Sequence, residues 1–127
     1  MQHLTITLFS TLLAFTGPSQ AATRCTVCRD GFNINHIKVT ADDVLDVPGI
    51  CGGLWDNLKR FSDCSTPSAT SCGGGESGVT GPLEWKFAAS QYCNPGMVES
   101  TWWEATKNDF GAIECVGQET IAVNCPE

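Results

Sequence analysis

The sequence predicts a mainly β domain: a small disulfide-rich antiparallel sandwich or barrel carrying one short helix. Three observations lead there. Short runs alternate apolar and polar residues, the period of a half-buried strand. Glycine-rich polar stretches separate those runs, as turns separate strands. All eight cysteines fall from Cys25 onward, so cross-links supplement a modest core.

The chain opens with MQHLTITLFSTLLAFTGPSQA. Leu4 to Phe15 is apolar apart from Thr5, Thr7, Ser10 and Thr11. A bilayer span needs about 20 apolar residues, whereas this length suits the core of a secretory signal. Gly17-Pro18 ends the run, and Ser19-Gln20-Ala21 places small residues three and one before a cut after Ala21. The expected organisation is a signal peptide over residues 1–21 and a single secreted, disulfide-stabilised domain over residues 22–127. Cys25, Cys28, Cys51, Cys64, Cys72, Cys93, Cys115 and Cys125 are even in number and follow a secretory signal. They read as four bridges whose pairing spacing alone does not select. Each bridge stabilises by roughly 2–4 kcal/mol, mainly by restricting the unfolded chain.

The elements follow in order. Phe32 to Thr40, FNINHIKVT, reads as a strand, with Phe32 and Ile34 on one parity and Ile37 and Val39 on the other. A bulge at Asn35-His36 would bring both pairs inward. ADDVLDVPG reads as a turn, with Pro48-Gly49 as punctuation. Cys51 to Cys64 is the helix: Leu54, Leu58 and Phe61 recur at i, i+4 and i+7, with Asp56 early and Lys59-Arg60 late. Ser65 to Gly81 reads as a long surface loop pinned by Cys72. PLEWKFAAS is the clearest strand, with Leu83, Trp85 and Phe87 facing one way and Glu84 and Lys86 the other. The end of the chain reads as two strands that bend at Gly117-Gln118. Ile113 and Cys115 are in phase in the first, and Ile121, Val123 and Cys125 in the second.

Net charge is −7, from 7 basic and 14 acidic side chains. Nucleic acid and acidic membranes demand a basic face, so neither is an expected partner. Cys25-Thr26-Val27-Cys28 has the spacing of a redox motif or half a zinc site, but no second pair completes a tetrad and no strand–helix context surrounds it. His36 is the only histidine beyond the signal segment. It would have to serve any hydrolytic site, in a groove with Glu84, Glu104 or Asp109. Asp42, Asp43 and Asp46 lack the alternating ligands and terminal Glu of a calcium loop. The glycine run lacks the Lys of a phosphate loop. No catalytic residue, metal site or cofactor is therefore expected.

Trp102 and Trp103 stand side by side in STWWEATKNDFG. Neighbouring side chains point to different faces of any regular element, and a domain this small has one core. One ring is expected inside. The other, with Glu104 and Lys107, is expected at a binding surface on a loop between Cys93 and Cys115. Exposed Trp is enriched among residues that dominate binding energy.

A short signal peptide beginning Met-Gln, a small mature domain, eight cysteines and no catalytic signature together resemble the small secreted cysteine-rich proteins of filamentous fungi. Many of these act as effectors or elicitors on plant hosts. Among them the β-rich Alt a 1-like allergens and effectors are nearest in architecture. Hydrophobins differ, since they need adjacent Cys-Cys pairs and none occurs here. The resemblance implies a secreted, non-catalytic interaction protein that binds a host or extracellular protein. A carbohydrate-binding module that presents Trp to polysaccharide is the first alternative. A small secreted hydrolase or ribonuclease-like enzyme is the second, and an acid-lined pocket around His36 would favour it.

Overall fold

The computed structural model describes residues 22–75 and 78–117 together with Cys125. The proposed signal peptide, and Ile121 and Val123 of the expected last strand, lie outside the described residues. The strands are β1 (Thr23–Arg29), β2 (Ile34–Val44), β3 (Ser68–Gly73), β4 (Gly81–Ser90) and β5 (Cys115–Val116). The helices are α1 (Val47–Leu58) and α2 (Pro95–Thr106), with a 3-10 turn at Ser62–Cys64. Strand exceeds helix, 38% against 28% of the described residues, and the fold is mainly β and disulfide-rich.

The strands form one sheet in the order β3-β4-β2-β1-β5. All neighbours are antiparallel except β1 and β5, which run parallel. Register aligns Cys25, Val39, Trp85 and Cys72 in one transverse row, and Val27, Ile37 and Phe87 in the next. Side chains alternate faces along a strand, so these rows point to one side. There the two helices cover them with Leu54 and Leu58 of α1 and Val98 and Trp102 of α2. The arrangement is a sandwich whose second layer is a helix pair. Trp55 of α1 meets the sheet edge-on, 5.9 Å from Trp85 and 6.1 Å from Phe87 between ring centroids. Burial of each such large side chain stabilises by about 1.5–3 kcal/mol.

Several elements differ from the sequence reading. Asp30-Gly31-Phe32-Asn33 is the β1–β2 turn, and Phe32 points to solvent at 86% exposure. Without Phe32 in the strand no bulge is needed at Asn35-His36. Asn35 shares the inward parity of Ile37 and Val39, and its buried amide donates to the Gln91 and Cys93 carbonyls. The irregularity lies instead between Ala41 and Val44, with Asp43 at φ 58°. Pro48 does not end an element; it sits in the first turn of α1, where its missing N–H costs nothing, and Asp46 caps that helix by accepting from Gly49 N. Phe61 lies past the helix end yet still packs against the core.

The expected loop at Ser65–Gly81 contains β3, an edge strand of small residues. Two of its glycines serve packing: a Cβ at Gly74 or at Gly75, φ 72°, would strike the Pro82 or Thr80 carbonyl oxygen. The segment expected as a Trp-bearing loop is a full helix, α2.

All eight cysteines are paired, as Cys25–Cys115, Cys28–Cys125, Cys51–Cys72 and Cys64–Cys93. Cys25–Cys115 holds β5 to β1 inside the core, and Cys51–Cys72 ties α1 to the edge strand. Cys64–Cys93 joins the 3-10 turn to the start of α2. Cys28 has the opposite parity, so Cys28–Cys125 lies on the side of the sheet away from the helices.

Candidate functional site

Asn94 begins α2: its side chain accepts from Met97 N, and Pro95 follows in the first turn. The helix ends at Lys107, φ 53° and left-handed, whose N–H bonds the Trp103 carbonyl. Between these ends its phase is set by Val98, Thr101, Trp102 and Thr106, all buried. The exposed stripe is Gly96, Ser100, Trp103 and Lys107.

The adjacent tryptophans are thereby separated. Trp102 is fully buried, and its indole N–H donates to Gly111 O at 2.8 Å. Trp103 is 45% exposed. Lys107 Nζ stands 4.1 Å above its ring centroid, within cation–π range. Lys107 also pairs with Glu104 at 3.3 Å, and Arg60 beyond α1 reaches the same carboxylate oxygen at 3.8 Å. Trp103, Glu104 and Lys107 are therefore neighbours on one surface, and Arg60 joins them from the turn that follows α1. Trp102 is not part of that surface. Small residues face each other between the helices, where a Cβ at Gly53 would meet Ala105 Cβ at 3.5 Å, an ordinary contact.

An exposed aromatic pair elsewhere escaped the sequence reading. Phe32 and Tyr92, at 86% and 65% exposure, project from two turns that the Gln91 N–H to Asn33 O bond joins at one end of the sheet. Asp30 Oδ1 accepts from the Phe32 and Ile34 amides, and Arg29 donates to Gln91 Oε1. The signal was present in Asp30-Gly31 and Asn33, residues that favour turns. They place Phe32 between strands rather than in one.

His36 has neither Glu84 nor Glu104 nor Asp109 as its partner. Its Nε2 lies 2.8 Å from Asp30 Oδ2. That bond, helped by the Phe32 and Ile34 amides, holds the Asp30 carboxyl below its usual range despite the opposing effect of burial. The histidine does line a hollow of about 290 Å³ on the helix-free side of the sheet. The walls of this hollow are Thr26, Lys38, Ser71 and Lys86 rather than carboxylates. Among the described residues no cluster of three or more His, Cys, Asp or Glu is placed to hold a metal ion. No helix among them is long and apolar enough to cross a membrane.

No protein-family model, curated protein or solved structure matches this chain.

Proposed function

We propose that the protein is an extracellular interaction protein that docks on a host or other extracellular protein through the outer stripe of α2, without catalysis. Four disulfides fit a small secreted extracellular protein. The observation that carries the docking reading is Trp103: a large ring held half in solvent on a helix whose cap, bridge and inner face are all fixed. A preorganised aromatic loses little conformational freedom on binding, and truncation of such an anchor costs 2 kcal/mol or more. Glu104, Lys107 and Arg60 would form the polar rim.

The same geometry favours a protein partner over polysaccharide. Sugars stack on a free ring face, and Lys107 occupies one face of Trp103. His36, bonded to Asp30 beside the β1–β2 turn, has a sufficient role in holding that turn, which supports a non-catalytic reading.

The test is capture from plant extracellular fluid by the immobilised protein, run beside depletion by insoluble cellulose and chitin. A protein retained by the wild type and lost by Trp103→Ala supports the reading. Depletion by polysaccharide that requires Trp103 would replace it with the carbohydrate-binding alternative.

A further inference from the structure

The side of the sheet without helices carries its own chemistry. Register places Thr26 of β1, Lys38 of β2, Lys86 of β4 and Ser71 of β3 in one transverse row. All four line the hollow of about 290 Å³. The row therefore reads hydroxyl, ammonium, ammonium, hydroxyl. Like charges directly opposite each other on neighbouring strands destabilise a sheet. Here two lysines are directly opposed in a chain whose net charge is −7. The nearby Glu84 carboxylate spans them, with Oε2 3.4 Å from Lys38 Nζ and Oε1 3.9 Å from Lys86 Nζ. Both separations exceed the roughly 2.7–2.9 Å of a strong charge-assisted bond. An ammonium has three donors, so this contact leaves each lysine with capacity for a further acceptor.

We propose that this hollow binds the carboxylate of a small organic or sugar acid. Glu84 already shows the geometry in which one carboxylate faces both ammoniums. A ligand carboxylate would sit beside it over the row, taking the remaining donors of both ammoniums, with the Thr26 and Ser71 hydroxyls as flanking donors. The hollow sits near the lower limit of small-molecule pockets, about 300 Å³, so the ligand body is on the scale of one sugar ring. The site is independent of α2, which lies on the other side of the sheet.

The experiment is a titration of the intact, oxidised protein followed by amide chemical shifts, at constant ionic strength balanced with sodium chloride. The ligands are sodium galacturonate, sodium acetate and sodium sulfate. Galacturonate should produce saturable shifts at Thr26, Lys38, Ser71 and Lys86. Lys38→Gln and Lys86→Gln should each weaken it at least fivefold, and Glu84→Gln, which removes the resident carboxylate, should tighten it. Lys59→Gln, on the far layer, should leave it unchanged. Galacturonate tighter than acetate identifies a sugar-acid site, and equal affinity identifies a site for any small carboxylate. The proposal is overturned if neither carboxylate gives saturable shifts at the row. It is equally overturned if sulfate binds as tightly, or if Lys59→Gln weakens binding as much as Lys38→Gln.

Discussion

Trp102 and Trp103 share one residue type and adjacent positions, yet they face opposite environments. About 100° of helix rotation separates them. The inner ring is sealed under α2 with its N–H bonded to Gly111 O; the outer ring stands in solvent beneath Lys107. The sheet repeats this division at Trp85 and Lys86, where one step along β4 passes from the core to the lysine row. In a domain with a single core, the phase of the element decides which of two neighbouring side chains holds the fold and which remains available to a partner.

The disulfides divide between the same two environments. Cys25–Cys115 and Cys28–Cys125 close loops of similar length, with sequence separations of 90 and 97. Loop entropy alone gives each about 4–5 kcal/mol. Only the first is inside the core, so Cys25→Ala with Cys115→Ala adds a cavity cost of roughly 1 kcal/mol. Its denaturant midpoint should fall below that of Cys28→Ala with Cys125→Ala. The reverse order would mean that burial of the bridge contributes nothing.

Trp102→Ala should cost about 3–5 kcal/mol, the usual range for a buried aromatic, read by chemical denaturation under oxidising conditions. Asn35→Ala leaves the Gln91 and Cys93 carbonyls without their donor. It should cost about 1–3 kcal/mol by the same measurement.

The alternation Leu83, Trp85, Phe87 was legible in the sequence because a strand buried on one face writes its geometry at period two. The split of the tryptophan pair was legible too, since it follows from adjacency alone. The element bearing them was not. Gly96 and the β-branched Val98 and Thr101 argue against a helix, and the N-cap at Asn94 with Pro95 in the first turn outweighs them. Phe32 misled for a related reason, because its apolar character matched Ile34 while Asp30, Gly31 and Asn33 had already made the turn. The lysine row was invisible, since cross-strand register depends on the pairing of β1, β2, β4 and β3 and no short-range pattern encodes it.

A smaller effect is expected at the β1–β2 turn. The hydrogen bond from His36, with those from the Phe32 and Ile34 amides, lowers the Asp30 pKa below its ordinary 3.8. A depressed carboxylate stabilises the fold above its unfolded pKa and loses that contribution as the pH falls through the folded one. Asp30→Asn should therefore melt below the wild type at pH 7, and the gap should narrow as the pH drops below 3.8. A gap that stays constant into acid would show that the ionised carboxylate contributes nothing to the turn.

The smallest expected effect on stability belongs to the residue with the largest expected effect on binding. Trp103→Ala removes a half-exposed ring and should change stability by no more than about 1 kcal/mol. The decisive measurement compares Trp103→Ala with the wild type twice, by thermal melt and by capture of a protein from extracellular fluid at equal concentration. The melt should shift by no more than that 1 kcal/mol implies, while affinity should fall about thirtyfold, the equivalent of 2 kcal/mol. An unchanged melt with undiminished capture would contradict it, as would a Trp103→Ala protein that unfolds as readily as Trp102→Ala.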